Sequence, residues 1–312
     1  MPDTMVVHHA MEDATARDGV LDTMPGGEMA RGRQTAEMRL LGDKMPEGDT
    51  SGGITTSVVA GPAGTLSVRV AGAGDLPVVF VHSGAGTARH WDAQMRHFGA
   101  TRRAVALDLR AHGQSAPADD GAYSVDSFAA DVAAVADSLA LERFILVGQS
   151  LGSAVALAYA AAHPDRVAGL VLIDAAGDLR GAPPQEIRAW LDGFGPETYR
   201  EASEAHWENV LEGARPEVRD EVLRDLRRTP RLAVVGALES VVSFDPVGAL
   251  RRYAGLTIAI VTPHADGPEG LQSQVEGLRV VRIPGLSHWP QMDRPDDVNA
   301  VIGDMIEDVS EK

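Results

Sequence analysis

The stretch RFILVGQSLGSAVALAYAAAHPDRVAGLVLID, from Arg143 to Asp174, decides the fold. The apolar run RFILVG ends just before Ser150, and an alanine-rich run begins just after it. Continuous apolar runs are typical of strands buried on both faces, and VAGLVLID is a second such run. The stretch therefore predicts a buried strand, a sharp turn at Ser150, a helix and a second strand parallel to the first.

The same alternation continues on both sides of this stretch. Apolar runs recur as PVVFVHS, RAVALDL, LTIAIVT and LRVVRIP, with helical stretches between most of them. Two β-branched runs before them, ITTSVVAG and TLSVRVAG, are split by GPAG and predict an antiparallel hairpin. Alternating strands and helices of this kind give an α/β fold. We therefore expect a mostly parallel, eight-stranded sheet flanked by helices.

The alternation breaks between residues 177 and 252. This interval contains the helical stretches PPQEIRAWLDGF, PETYREASEAHWENVLEGA and PEVRDEVLRDLRR, and no convincing buried strand. An insert at the C-terminal edge of a parallel sheet lies where ligands bind, so we expect a helical cap. The core would then comprise residues 54–176 and 253–312. Residues 1–53 lack hydrophobic periodicity and hold seven of the ten methionines, which predicts a disordered or loosely attached tail.

Composition excludes several classes of function. The chain has 312 residues, a net charge of −17 and no cysteine. Binding to nucleic acid or to an anionic membrane needs a basic face, so we expect neither partner. The lack of cysteine excludes disulfides, thiolate catalysis and cysteine-ligated metals. No run is long and apolar enough to span a bilayer, and the acidic N-terminus lacks the features of a secretory signal, which favours the cytoplasm.

Ser150 is the candidate nucleophile. It lies between Gly148 and Gly152 in the pattern G-x-S-x-G, which is weak evidence alone because 33 of the 312 residues are glycine. An abrupt turn from strand to helix strains the backbone, and side chains in place of the two glycines would clash. The turn would project the Ser150 hydroxyl above the sheet, next to the N–H groups that begin the helix. A glycine-rich packing turn is the alternative interpretation.

A serine hydroxyl needs a base that a third group orients. His288 is the candidate base because it lies in the short loop GLSHW after the last predicted strand. Two carboxylates could orient it: Asp266, just past the strand LTIAIVT, and Asp174, which ends VAGLVLID. We favour Asp266, because we place its strand beside the strand that leads to His288. Asp174 is the alternative acid.

Attack on an ester or amide carbonyl also forms an oxyanion, which needs preorganised donors. One candidate donor is the N–H group of Leu151, directly after the nucleophile. The other comes from HSGAG after the strand PVVFV, with Gly84 as first choice and Ser83 as second. Four tryptophans could form an apolar substrate pocket, although core packing would equally explain each of them. The candidate substrate contacts are Trp91, Gln149, Trp190, Trp207 and Trp289.

Together these segments resemble the α/β-hydrolase fold family from about Ile54 to the C-terminus. VGQSLG resembles the nucleophile elbow of the family, and VFVHSGAG its HG-x-G oxyanion segment. LDLRAHGQS resembles the D-x-R-G-x-G-x-S segment, and PGLSHWPQMDRP the G-x-G-H histidine loop. The order Ser150, Asp266, His288 is the chain order of the family. Three residues stand where the family has glycine: Ser83, Ala111 and Ser287.

The resemblance implies a serine hydrolase that cleaves a carboxylic ester or lactone through an acyl-enzyme on Ser150. It implies no metal or organic cofactor and a small-molecule substrate, and it leaves a homodimer open. Perhydrolases, haloperoxidases and carbon–carbon bond hydrolases share the same triad pattern. A ligand-binding homologue without catalysis is a further alternative. Serine at position 150 argues against dehalogenases and epoxide hydrolases, where aspartate is expected.

Overall fold

Eight strands form one sheet in the computed structural model, which describes residues 53–311. They are β1 (Ile54–Gly61), β2 (Gly64–Ala71), β3 (Val78–Val81), β4 (Ala104–Leu107), β5 (Phe144–Gln149), β6 (Val167–Ile173), β7 (Thr257–Val261) and β8 (Arg279–Arg282). Their order across the sheet is β1-β2-β4-β3-β5-β6-β7-β8. Strand β2 pairs antiparallel with β1 and β4, and all other neighbours are parallel. The predicted hairpin and the predicted mostly parallel sheet are both confirmed.

Helices cover both faces of this sheet. They are α1 (Asp92–Gly99), α2 (Val125–Ser138), α3 (Leu151–Ala162), α4 (Pro184–Asp192), α5 (Tyr199–Val210), α6 (Pro216–Leu226), α7 (Arg231–Ser243), α8 (Pro246–Tyr253), α9 (Leu271–Gln274), α10 (Pro290–Asp293) and α11 (Pro295–Ser310). A short 3₁₀ helix, Ala88–Trp91, precedes α1. Proline begins α4, α6 and α8, where a missing N–H costs no helical hydrogen bond. The Ser124 hydroxyl caps α2 by accepting a hydrogen bond from the Ser127 N–H.

Two apolar layers, one on each face of the sheet, form the core. In β5, Phe144 and Leu146 point into the layer that contains α2, α3 and α8. Ile145 and Val147 point into the layer that contains α1 and α11. Successive residues of a strand face opposite sides, so a strand that is apolar throughout serves both layers. This is why the buried strands lack the polar alternation of a half-exposed sheet.

Five helices, α4 to α8, lie between β6 and β7 and are called the helical segment below. The sequence indicated the first three, and α5 begins three residues after Pro196. Trp207 of this segment shares an apolar cluster with Ala85, in the loop after β3, and with Trp289, in the loop after β8. The segment therefore packs against the loops at the C-terminal edge of the sheet. Its division from the core as a separate cap stays a prediction.

Two further expectations concern the tail and membranes. The predicted tail of residues 1–53 lies, apart from Gly53, outside the described residues. By length and composition, no single described helix could cross a bilayer. Helices α7 and α8 meet those criteria only as a pair, which is bent by 72°.

Candidate active site

Ser150 occupies a strained turn between β5 and α3. Its φ of 54° and ψ of −115° form a left-handed conformation that non-glycine residues rarely adopt. A side chain at Gly148 would collide with the Gly152 carbonyl, and one at Gly152 would collide with the backbone of Val81 and His82. The two glycines therefore let α3 begin close against β5 and β3. The predicted sharp turn at Ser150 is present, for the steric reason expected.

Asp174 and His288 form a buried, charge-assisted hydrogen bond. The His288 Nδ1–H group donates to Asp174 Oδ2 at 2.8 Å, and the Asp174 side chain has no exposed surface. Thr262 donates twice more to this carboxylate, from its N–H at 2.7 Å and from its hydroxyl at 2.6 Å. Because a carboxylate only accepts, the neutral His288 imidazole carries its proton on Nδ1. Its Nε2 atom is then free to accept a proton.

Asp266, the favoured acid, was the wrong choice. The carboxylate of Asp266 is 40% exposed and pairs with the guanidinium of Arg282, 3.0 Å away at the end of β8. Strand β7 ends at Val261, and the following loop continues through a turn closed between Thr262 and Ala265. Asp266 is therefore at the rim of this loop, while Asp174 follows β6 directly. The structure brings the alternative acid, Asp174, to His288.

Several contacts bring Ser150 to the same edge of the sheet as Asp174 and His288. The Ser150 N–H group donates to the carbonyl of Ile173, the residue before Asp174. The Gln149 side-chain amide donates to the His288 carbonyl at 2.8 Å. Among the described residues no hydrogen bond joins the Ser150 hydroxyl to the His288 ring; such contacts are often loose before substrate binds. Gln149 is fully buried and holds the histidine loop, so its predicted role as a substrate contact is wrong.

The candidate oxyanion donors lie in two neighbouring backbone segments. Leu151 is the first residue of α3, and Gly84 lies in the loop after β3. Within residues 53–311, neither N–H group donates a hydrogen bond to a protein atom. The Ser83 hydroxyl is buried and has no hydrogen-bond partner in the described part of the chain. It lies next to Gly86, whose N–H donates to the Ser83 carbonyl at 3.0 Å. Both first-choice N–H groups are therefore available to a ligand.

Two buried histidines fix the loop that carries Gly84. The His82 ring donates to the Ser83 carbonyl and accepts from the Leu109 N–H. The His112 ring accepts from the Ala85 N–H, and its other nitrogen donates to the Arg110 carbonyl. Burial lowers the pKa of His82 to about 3 and the pKa of His112 to about 3. Both rings are therefore neutral at pH 7 and join the loop after β3 to the loop after β4.

Asp108 has a structural role in the loop after β4. Its carboxylate accepts from the Ala88 N–H at 2.7 Å and from the Gln114 N–H at 2.9 Å. Next to it, Arg110 forms a buried ion pair with Asp131 of α2, with a nitrogen–oxygen distance of 2.7 Å. The segment LDLRAHGQS therefore supports the site without belonging to it.

The tryptophans differ in their surroundings. Trp91 is fully buried and stacks on Phe80 with a centroid distance of 5.0 Å, so its predicted role in a substrate pocket is wrong. Trp289 is also buried, in the cluster that joins the helical segment to the histidine loop. Trp207 approaches the loop after β3, where its ring would lie 3.9 Å from a Cβ atom on Gly84. Trp190 is partly exposed and packs at a right angle to Phe194. Only Trp207 and Trp190 remain candidates for a substrate pocket.

One cluster of potential metal ligands occurs among the described residues. Donor atoms of His90, Glu221 and Asp225 lie within 4.8 Å of one another. The His90 Nε2–H group already donates to Asp225 at 3.1 Å, and the Arg224 guanidinium lies 3.8 Å from each carboxylate. These contacts explain the cluster as an ion-pair network between the 3₁₀ helix and α6.

A surface groove of about 600 Å³, lined by Tyr123 and α7, includes none of the candidate site residues.

Sequence reasoning missed two histidines near the contact between α5 and the histidine loop. His206 lies one turn before Val210 of α5, whose carbonyl accepts from the His288 N–H group, and His264 lies in the loop after β7. Burial is the main cause that lowers the pKa of His206 to about 4. His264 faces the Glu212 carbonyl, 3.3 Å from its Nε2 atom. The only sequence signal for His206 is its position beside Trp207 in the predicted cap.

Comparisons with known proteins agree with this geometry. Residues 77–219 match the family model of the alpha/beta hydrolase fold. The chain is 31% identical over 253 residues to the dihydrolipoyllysine-residue acetyltransferase component of the acetoin cleaving system of Pseudomonas putida, covering 74% of this chain and 63% of that protein. It is 38% identical over 112 residues to an esterase of Mycobacterium tuberculosis, covering 36% of this chain and 37% of that protein. The chain thus spans less than two thirds of both curated relatives.

Among solved structures, a thermophilic esterase from Thermogutta terrifontis matches with a TM-score of 0.70 and 24% sequence identity. The match covers 82% of this chain and 99% of that one. The strand order, the turn at Ser150 and the matched family segment define an α/β-hydrolase fold. The chain is a member of the α/β-hydrolase fold family, with esterases among its relatives.

Proposed function

We propose that the protein is a serine hydrolase that cleaves a carboxylic ester or lactone through an acyl-enzyme on Ser150. The observation that carries this proposal is the 2.8 Å hydrogen bond between His288 and the buried Asp174, beside the strained turn at Ser150. A base that is oriented by a buried carboxylate and lies close to a partly exposed serine is the arrangement that activates a serine hydroxyl. The esterase relative supports the same chemistry.

The reaction would proceed in two stages. His288 Nε2 accepts the Ser150 proton while Ser150 Oγ attacks the carbonyl carbon, and His288 then donates that proton to the departing alcohol. In the second stage His288 Nε2 takes a proton from water while the water oxygen attacks the acyl carbon. The bond between the acyl carbon and Ser150 Oγ then breaks, and His288 returns the proton to Ser150 Oγ as the acid leaves. Asp174 stabilises the imidazolium that forms in each stage and stays ionised throughout. A lactone reacts in the same way, except that its alcohol stays attached to the acyl group.

The oxyanion would be held by the N–H groups of Leu151 and Gly84. Neither N–H group has a partner among residues 53–311, and the buried rings of His82 and His112 fix the loop that carries Gly84. Donors that are held in place before the reaction stabilise a developing charge without reorganising. Loss of one such donor typically costs about 100- to 1,000-fold in rate.

The helical segment would act as the cap of the substrate pocket. It shares an apolar cluster with Ala85 and Trp289, which belong to the loops on either side of the site. The pocket would be walled by aromatic rings of α4 and α5, including Trp190 and Trp207. Small apolar or aromatic esters fit such walls better than charged substrates.

A fluorophosphonate probe tests the nucleophile, because it labels only an activated serine. The labelled peptide is expected to contain Ser150, and Ser150→Ala is expected to abolish labelling. Turnover of p-nitrophenyl butanoate should fall in the same variant by about 10⁵-fold or more. Ser310→Ala, at the exposed end of α11, is the matched control and should behave as wild type.

The outcomes separate this proposal from a ligand-binding role. A wild-type protein that neither reacts with the probe nor turns over any short ester would contradict a hydrolase. A probe adduct without turnover of any ester would indicate an activated serine that reacts only once, and it would contradict a hydrolase that turns over. Labelling at another serine would move the nucleophile away from the turn.

A further inference from the structure

Helix α5 is attached to both loops of the candidate site. The His288 N–H group donates to the carbonyl of Val210, the last residue of α5, at 3.1 Å. One turn earlier on the same helix, the Trp207 ring packs over Gly84. Residues three or four apart share one face of a helix, so the face with Trp207 and Val210 is turned toward the site. His206 precedes Trp207 and belongs to the same turn.

The His206 side chain is polar but has apolar surroundings. Aromatic rings lie around it at centroid distances of 5.3 Å for Trp207, 5.9 Å for Trp190 and 6.1 Å for Phe194. It is partly exposed, and within the described part of the chain its ring nitrogens make no hydrogen bond to protein. A neutral imidazole in this position has one N–H group to donate. The buried rings of His82 and His112, by contrast, have protein partners at both nitrogens.

His206 lies one turn before Val210 on α5, and the Val210 carbonyl accepts from the His288 N–H group. This position indicates which part of a substrate His206 faces. In the proposed reaction His288 donates its proton to the leaving oxygen, so the alcohol part of an ester must lie beside His288. The acyl oxygen points the other way, toward Leu151 and Gly84. The N–H group of His206 on α5 therefore faces the alcohol part of the ester. The aromatic rings around His206 contact the apolar atoms of that part.

We infer that His206 is a specificity-determining residue, whose N–H group binds an acceptor oxygen in the alcohol part of the substrate. The preferred substrates are then esters or lactones whose alcohol part combines apolar carbons with an ether, carbonyl or hydroxyl oxygen. This inference rests on the proposed function. It adds a substrate class that neither the fold nor the esterase relative supplies.

Three butanoate esters test the inference, because they share one acyl group and have alcohols of five chain atoms. They are pentyl butanoate, 2-ethoxyethyl butanoate and 3-methoxypropyl butanoate, in which an ether oxygen replaces one methylene. All three form the same butanoyl-enzyme, so differences in kcat/KM report only the steps up to release of the alcohol. The measured quantity is the ratio of kcat/KM for each ether ester to kcat/KM for the pentyl ester, followed by pH-stat.

His206→Phe keeps a ring of similar size and removes the donor. The ratio for at least one ether ester is expected to fall roughly tenfold, as for the loss of one hydrogen bond. His206→Gln keeps an N–H donor and is expected to give a ratio between those of wild type and the phenylalanine variant. His264→Phe is the matched control, because His264 also neighbours His288 but faces the Glu212 carbonyl, and its ratios should equal those of wild type.

The outcomes distinguish this inference from the proposed function. Unchanged ratios in His206→Phe, with turnover of p-nitrophenyl butanoate retained, overturn the role of His206 and leave the hydrolase standing. An equal fall in the ratio of kcat/KM values in His206→Phe and His264→Phe also overturns the role of His206, because the effect would then be a general disturbance around His288. Absence of turnover in the wild-type protein with every ester overturns both. Fluorophosphonate labelling of each variant at Ser150 shows that its site has folded.

Discussion

The backbone at Ser150 is strained, and this strain serves the proposed reaction rather than the stability of the fold. Residues held in such conformations typically cost 1 to 3 kcal/mol. The surrounding structure holds Ser150 there through the hydrogen bond to Ile173 and the close contact between Gly148 and Gly152. The benefit is that the side chain leaves the sheet at the start of α3, beside the free N–H group of Leu151.

Ser150→Gly should therefore be more stable than Ser150→Ala. Both variants lose the hydroxyl, but glycine adopts a positive φ without steric cost, whereas alanine keeps the Cβ atom. After the greater flexibility of unfolded glycine is subtracted, we expect a difference of about 1 kcal/mol in the free energy of unfolding. Urea unfolding of the two variants measures it. Equal stabilities would mean that the turn is not strained in solution.

The change Asp174→Asn should reduce kcat by about 10⁴-fold while the fold is kept. An asparagine oxygen can still accept from the Thr262 N–H, but its NH₂ group would face the His288 Nδ1–H, which favours the other tautomer of the ring. Steady-state kinetics with p-nitrophenyl butanoate measures the loss. Asp266→Asn is the matched control, because its partner is Arg282 at the surface, and its kcat should stay near wild type. The opposite order of effects would restore Asp266 as the acid.

The sequence selected Ser150 and His288 as candidates, but it favoured Asp266 over Asp174 as the carboxylate that bonds to His288. Both carboxylates follow an apolar strand, so the strand pattern alone does not separate them. What separates them is the path of the loop after β7, which takes Asp266 to Arg282. Such a path depends on side-chain contacts between distant segments, and these leave no periodic pattern in the sequence. The same limitation applies to Gln149, whose bond to the His288 carbonyl has no sequence signal.

At the scale of elements, strands and amphipathic helices were predictable because burial imposes a regular spacing. Val125, Phe128, Val132 and Val135 of α2 are all buried on the sheet, as their spacing predicts. The contact between the helical segment and the core was not predictable. It includes the pair formed by His90, before α1, and Asp225 of α6, which are 135 residues apart.

Asp225→Ala should destabilise the protein by about 3 kcal/mol, because removal of one partner of a buried pair leaves the other without compensation. His90 would lose the partner of its Nε2 atom, and its Nδ1 atom already has no partner among the described residues. The Thr87 hydroxyl would also lose its acceptor. Chemical unfolding followed by circular dichroism measures the change. Asp220→Ala is the matched control, since Asp220 is on the same helix but exposed, and should change stability by no more than about 0.5 kcal/mol. Equal effects would show that the pair does not hold α6 to the core.

At the scale of the whole molecule, two buried histidines make the fold sensitive to acid. His82 and His112 lie 5.0 Å apart between the ring centroids and join the loops after β3 and β4. In each ring the nitrogen that would take up a proton is Nε2, and this atom already accepts a hydrogen bond from a backbone N–H group. Protonation would therefore break a bond within the loop that carries Gly84, as well as place charge in the core.

The sign of the pH dependence follows from the lowered pKa values. The pKa of each histidine falls from 6.5 in the unfolded chain to about 3 in the folded protein, mainly because of burial. The unfolded chain thus binds more protons below pH 6.5, and stability decreases from there toward pH 3. At pH 5, which is 1.5 units below the pKa in the unfolded chain, each histidine should lower the free energy of unfolding by about 2 kcal/mol. Urea unfolding at pH 8, 6.5 and 5 should give similar stabilities at the first two values and a loss of several kcal/mol at the third. Equal stability at pH 8 and pH 5 would contradict neutral, buried rings at both positions.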